Sequence, residues 1–271
     1  MIRETKGVYE KMKDFPKLDS KEVTHFKILI ILLLVLAIVI CVNDNAEKIL
    51  AHMGEHYEDT LPIYSVDTEE KVVSITFDAA WGDEDLEQIL QILDKHDCKA
   101  TFFVTGDWAS RYPEAIKKIH QNGHDIGNHG ANHKHMTSLS REEMIEEIDG
   151  CHNIIKSLVG VDMILFRPPY GDYNERVIMT AKAEGYYSIQ WDVDSLDWKD
   201  YGVESIISTV CQHKSLKNGS IILLHNGSKY TALALDALLS NLENQGYSFV
   251  PVSELIYTEN YSVDHAGRQY K

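Results

Sequence analysis

The chain has 271 residues, of which 44% are hydrophobic and 25% charged, with only six prolines. This composition excludes a disordered or fibrous protein and calls for a globular body with a core. A formal net charge of −16 at pH 7 excludes a nucleic-acid partner, because affinity for a phosphate backbone rests on clustered cationic charge.

Residues 1–27 form a leader with seven Lys and Arg against five Asp and Glu. An unbroken apolar run from Ile28 to Val42 follows and predicts a transmembrane helix over 28–42. The run is shorter than the roughly 20 residues that span a bilayer core, but Phe26 extends it and the Lys27 amine can reach the headgroups. A cleavable signal peptide is the rival reading; the long leader and the lack of an A-x-A-like site after the run weigh against it. The basic leader beside an acidic remainder places the N-terminus in the cytoplasm and residues 43–271 outside the cell membrane. Residues 43–64 read as a polar stalk with a break at Pro62. Cys98, Cys151 and Cys211 are odd in number and have no CxxC spacing, so no disulfide framework is expected.

From there the pattern alternates strand and helix. Lys71–Phe77 is rich in β-branched residues, and Leu86, Ile89, Leu90 and Leu93 recur at helical spacing. A strand at Ala100–Val104 precedes a helix from Pro113 to Gln121, which opens on proline and stops before Gly123. After a short segment at His124–Ile126 comes a helix over Arg141–Leu158, striped by Met144, Ile145, Ile148, Ile155 and Leu158, with its acids at Glu142–Asp149 read as a solvated face. Further strands are predicted at Ile164–Phe166, Tyr186–Ile189, Ser220–Leu224 and Tyr247–Val250, with helices near 174–184, 203–214 and 230–244. Such alternation implies an α/β fold with a parallel sheet. Periodicity leaves open whether the sheet closes.

In parallel α/β folds the functional groups gather at the C-terminal ends of strands. Asp78, Arg167, Asp194 with Asp197, and His225 all follow predicted strands, and His129 and His133 lie in the loop after His124–Ile126. Two histidines four residues apart can supply half of a tetrahedral metal site, since neutral imidazole is a favoured zinc ligand. Alone, that spacing is weak evidence in a chain with 13 histidines.

The combination is more specific. Thr76-Phe-Asp78, Asn128-His-Gly-Ala-Asn-His133, Arg167-Pro-Pro-Tyr-Gly171, Asp194-Ser-Leu-Asp-Trp198 and Leu223-Leu-His225 occur in this order, and the chain resembles the polysaccharide deacetylases of carbohydrate esterase family 4, the NodB-homology domain, over residues 65–257. The resemblance implies a distorted (β/α) barrel of about seven strands, followed by a polar tail at 258–271. It implies metal-dependent hydrolysis of N-acetyl groups on a cell-wall polysaccharide, with peptidoglycan favoured by membrane tethering. The Phe77–Gly82 form of the first motif is similar to that of a membrane-anchored, sporulation-associated branch.

Through the resemblance, Asp78 is the general base, oriented by Arg167, and His225 is the general acid, oriented by Asp197. His129 and His133 hold the metal, with zinc as the first choice and cobalt, nickel or manganese as alternatives. Tyr170 lends a backbone amide to the oxyanion, and Trp198 and Leu223 form an apolar wall for the acetyl methyl. One departure stands out: the family usually carries a second, metal-ligating aspartate where this chain has Ala79. Asp85 is the expected substitute ligand; its competing role is to cap the helix at Leu86. The missing carboxylate also keeps a second function open, that of a membrane-tethered, non-catalytic polysaccharide-binding pseudoenzyme.

Overall fold

The computed structural model describes residues 60–271. The leader, the predicted transmembrane helix at 28–42 and most of the stalk lie outside the described residues. Among the described residues no helix is long and apolar enough to cross a membrane.

In chain order the elements are β1 (Ser65–Val66), β2 (Val72–Ala79), α1 (Leu86–Lys95), β3 (Thr101–Val104), α2 (Gly106–Arg111), α3 (Pro113–Gln121) and β4 (Asp125–Asn128). Then come α4 (Arg141–Val159), β5 (Leu165–Phe166), α5 (Glu175–Ala183), β6 (Tyr187–Ser188), β7 (Val193–Asp194), α6 (Val203–Cys211) and β8 (Ser220–His225). The chain ends with α7 (Thr231–Asn244), β9 (Ser248–Phe249), α8 (Val252–Leu255), β10 (Ser262–Val263) and β11 (Arg268–Tyr270).

The middle of the sheet is parallel and buried on both faces, so that on β2 the polar Ser74, Thr76 and Asp78 are buried along with the apolar residues they alternate with. All eight residues of β2 are buried, and β2 pairs with β3 on one side and β8 on the other. The main path runs β10-β11-β1-β8-β2-β3-β4-β5-β6, with β7 added to β8 and β9 to β2. It curls: Ile63, just before β1, forms a parallel bridge with Ile189, just after β6. Ile63 N–H donates to the Ser188 carbonyl at 2.8 Å, and Gln190 N–H donates to the Ile63 carbonyl at 2.7 Å. The result is a curled α/β half-barrel.

Helices cover the sheet where the apolar periodicity requires. Phe77 and Phe102 stack at 4.9 Å between ring centroids inside the core. Helix α4 starts in a capping box, with the Ser140 hydroxyl accepting Glu143 N–H and the Glu143 carboxylate accepting Ser140 N–H. It stops at Gly160, whose φ of 74° closes the last turn in the left-handed region that glycine tolerates.

Nine strands lie on the main path, against about seven expected, because the ends of the described chain extend it. Residues 258–271, expected as a polar tail, carry β10 and β11, and β11 pairs in parallel with β1. The buried Gln269 explains how a polar segment enters a sheet. Its amide donates to the Tyr257 carbonyl at 2.6 Å and accepts Tyr257 N–H at 2.8 Å. The end of the expected stalk is also part of the body, since Ile63 is buried. Gln269→Ala strands both Tyr257 backbone groups and is expected to lower unfolding free energy by roughly 1–2 kcal/mol. Urea denaturation would read this as a lower midpoint at constant slope.

Candidate active site

Residues at the C-terminal ends of the strands meet at one cleft of about 710 Å³. Asp78 on β2 lies directly across from His225 on β8 in the parallel register, while His129 follows β4 and Arg167 follows β5. Of the site residues expected from sequence, Asp78, His129, His133, Tyr170, Trp198, Leu223 and His225 line the cleft. Arg167 and Asp197 sit behind it, each fully buried.

Arg167 organises one side. Its Nη1 donates to Asp78 Oδ1 at 2.7 Å and to Thr76 Oγ1 at 2.9 Å, and its Nη2 donates to the Gln190 carbonyl at 3.1 Å. The guanidinium also lies 4.0 Å from the centre of the Phe103 ring, a favourable cation–π placement. Burial pushes the Asp78 carboxyl pKa up, but the charge of Arg167, together with its hydrogen bond, leads the effects that outweigh it and hold the group below its ordinary value. Asp78 is therefore a carboxylate at neutral pH, able to accept a proton.

His129 rests on the same arginine. Its Nδ1 is 2.7 Å from the Arg167 carbonyl oxygen; a carbonyl only accepts, so Nδ1 carries the proton. That leaves the Nε2 lone pair free, 3.5 Å from Asp78 Oδ2. Burial drives the His129 pKa down to about 4, and burial also lowers that of His133, so both rings are neutral. Their centroids are 5.0 Å apart.

The loop between these two histidines is braced by Glu147 of α4. Its oxygens accept Asn132 N–H at 2.7 Å and Asn132 Nδ2 at 2.8 Å, and pair with Lys134 Nζ at 3.0 Å. Glu147 is buried and so departs from the solvated acidic face expected of α4. The signal was present, since position 147 falls on the stripe of Met144, Ile148 and Cys151.

Two neutral imidazoles facing one cleft fit a divalent ion, but the rest of an all-protein site is missing. Among the described residues, no group of three or more His, Cys, Asp or Glu side chains is arranged to hold a metal. Ala79 packs without exposure in the core. Asp85, expected as the substitute ligand, does not line the cleft. It stands at the N-cap position of α1 without a side-chain bond to the first turn, and its oxygens accept Gly227 N–H at 3.0 and 2.9 Å.

The other side is built on Asp197. Its Oδ1 lies 2.7 Å from His225 Nδ1, and its Oδ2 accepts His225 N–H at 2.7 Å and the Thr231 hydroxyl at 2.6 Å. Burial lowers the His225 pKa, but the Asp197 hydrogen bond and charge more than offset it, and the net shift is upward. Nδ1 is thus the proton donor to Asp197, and Nε2 is the nitrogen left for chemistry.

Leu223 is buried in the cleft wall, whereas Trp198 and Tyr170 are 53% and 59% exposed, open enough to stack on a ligand. Tyr170 adopts φ 63° in the tight turn after Pro168 and stacks on His135 at 4.0 Å. Sequence reasoning missed Trp81 and Trp191, which also line the cleft. The position of Trp81, three residues past Asp78 in a strand-end loop, was the available clue.

The polysaccharide deacetylase family signature matches residues 65–189. A peptidoglycan-N-acetylglucosamine deacetylase of Bacillus cereus is 38% identical over 198 residues, covering 71% of this chain and 92% of that protein. The uncharacterized protein YlxY of Bacillus subtilis is 36% identical over 195 residues, 72% of this chain but 60% of that longer protein. The solved structure of wild-type BA3943 from Bacillus anthracis, a CE4 family pseudoenzyme, aligns with a TM-score of 0.70 at 30% identity, over 78% of this chain and 73% of that one. A BA3943 mutant with restored enzymatic activity aligns at 0.69 and 34% identity, over 72% and 71% of the two chains.

Two outcomes follow from the buried pairs. Arg167→Met leaves Asp78 without its counter-charge and is expected to cost about 3–5 kcal/mol, as for other broken buried pairs, read by urea unfolding at pH 7. Because its folded pKa is raised, His225 contributes stability that is full below its ordinary value of 6.5 and is lost as pH rises through the folded value. In Asp197→Asn, an NMR titration should show the His225 pKa shifted down; an unchanged value would mean that Asp197 does not set it.

Proposed function

The chain belongs to the polysaccharide deacetylase family, and we propose that it is a hydrolase removing N-acetyl groups from amino sugars of a cell-wall polysaccharide, with peptidoglycan as the first candidate. The observation that carries this reading is the facing pair across one cleft: an arginine-held carboxylate on β2 and an aspartate-held imidazole on the neighbouring β8. Amide hydrolysis needs a base for water and an acid for the leaving amine.

In this reading Asp78 takes a proton from water as its oxygen bonds to the acetyl carbon. Arg167 keeps the carboxylate oriented. The Tyr170 backbone N–H is the donor assigned to the developing oxyanion. His225 then delivers the proton on Nε2 to the sugar nitrogen as the C–N bond breaks, releasing acetate and a free amine, and Asp197 stabilises the imidazolium before transfer. Leu223 and Trp198 enclose the acetyl methyl. His129 and His133 are the residues that would hold a divalent ion, zinc by its liking for imidazole, with cobalt, nickel or manganese as alternatives. Such an ion supplies Lewis-acid polarisation of the acetyl carbonyl.

The basic leader and apolar run support a single-pass protein with its N-terminus in the cytoplasm and the deacetylase domain outside the membrane, where peptidoglycan lies. The Phe77–Gly82 motif supports the membrane-anchored, sporulation-associated branch.

A second reading, a non-catalytic polysaccharide-binding protein, is favoured by one observation: Ala79 stands where a ligating aspartate is usual, and no third donor replaces it among the described residues. Metal binding and acetate release separate the two. The deacetylase reading expects one zinc per chain by calorimetry, loss of binding in His129→Ala and in His133→Ala, and acetate release from N-acetylated peptidoglycan that stops in chelator. Replacing the acid, as in His225→Ala, should slow release by about 10²–10⁴-fold. Zinc or glycan binding without any acetate release would establish the second reading instead.

A further inference from the structure

The acidic loop between β2 and α1 makes a connection that is not explained by metal binding or by helix capping. Both Asp85 oxygens accept Gly227 N–H, at 3.0 and 2.9 Å. One residue earlier, the fully buried Asn226 donates its side-chain amide to the Gly82 carbonyl, which also accepts Trp108 Nε1 at 3.1 Å. The two loops are therefore joined at two adjacent points. Gly227 has φ 73°, and a Cβ there would lie 3.3 Å from Gly82 N and 3.5 Å from Trp81 Cβ. Glycine adopts that left-handed conformation without strain and leaves the two loops their close approach.

What the junction holds is the acid side of the cleft. The short segment after His225 passes through Asn226 and Gly227 and ends at Thr231, whose hydroxyl donates to Asp197 at 2.6 Å. Asp197 in turn faces His225 Nδ1 at 2.7 Å. On the opposite loop, the Trp81 ring lies 5.5 Å from the His225 ring. A shift of the 226–231 segment would move the acid, its carboxylate partner and the aromatic wall relative to one another.

We propose that Asp85 is a positioning residue for the general acid: its carboxylate tethers Gly227 and, through the 226–231 segment, holds His225, Asp197 and Trp81 in register. A carboxylate suits the task, because N–H bonds to an ionised acceptor are roughly twice as strong as neutral ones. The catalytic consequence rests on the deacetylase reading; the tether itself does not.

The test compares wild type, Asp85→Asn, which keeps a carbonyl acceptor for Gly227, and Asp85→Ala, which keeps none. On N-acetylated peptidoglycan, kcat of Asp85→Ala should fall on the order of 10- to 100-fold, the scale of an ångström-level misplacement. KM and bound zinc should stay within about twofold, which marks a loss confined to the reacting step. Asp85→Asn should recover most of kcat. A second measurement needs no activity: the His225 Nδ1 proton, held against Asp197, should give a slowly exchanging downfield NMR signal in wild type and Asp85→Asn. That signal should be lost to solvent exchange in Asp85→Ala, with the amide signals of α1 unchanged as proof of folding. If wild type releases no acetate, the deacetylase reading fails, and the NMR comparison alone decides the tether. An unchanged His225 signal in Asp85→Ala overturns the proposal, and loss of zinc in that variant overturns it in favour of a ligand role.

Discussion

A fully buried guanidinium needs a counter-charge and acceptors, and Arg167 finds them in three hydrogen bonds that join separate parts of the sheet, with its Nε alone left unbonded. It donates to Thr76 and Asp78 on β2 and to the carbonyl of Gln190 beyond β6. Its own carbonyl, just past β5, fixes the Nδ1 proton of His129. The charge state of the carboxylate and the tautomer of the first imidazole thus depend on one side chain and its backbone. The Phe103 ring completes its enclosure. The curl of the sheet, secured where Ile63 meets Ile189, brings these strands close enough for a single arginine to span them.

Three histidines share the cleft and behave differently for one physical reason. Burial lowers the pKa of each. For His129 and His133 the carboxylate influence comes from Asp78, whose charge Arg167 already offsets, and burial wins. For His225 the partner is Asp197, fully buried and bonded to its ring, and burial loses. Neutral imidazoles with free lone pairs suit a cation, while an imidazole that retains its proton suits an acid. The placement of carboxylates against a common background of burial is what sets the three rings apart.

Much of this was legible in the sequence because it was long or repeated. The eight-residue β2, the amphipathic α1 and the capped α4 all carry periodic signals that cannot be mistaken for a loop. Five ordered motifs singled out Asp78, Arg167, Asp197 and His225, which the structure brings together at or just behind one cleft. What escaped was short or non-local. Two-residue strands such as β1 and β7 have no period. The sheet pairing of residues 262–270 depends on Gln269 finding Tyr257, which no local pattern announces. The contact of Asp85 escaped for the same reason: a carboxylate before a helix reads as a cap or a ligand, and its hydrogen-bond partner in the structure, Gly227, lies 142 residues away.

The central question is whether Asp78 and His225 perform acid–base chemistry in a cleft where Ala79 stands in place of the usual second aspartate of the first motif. The most direct measurement is the number of acetate molecules released per chain from purified N-acetylated peptidoglycan, by wild type and by Asp78→Asn, in excess zinc. The account expects many turnovers from wild type and, with zinc binding retained, a rate lower by about 10²-fold or more in Asp78→Asn, as for other lost bases. Equal rates in the two proteins, or no release by wild type, would contradict it.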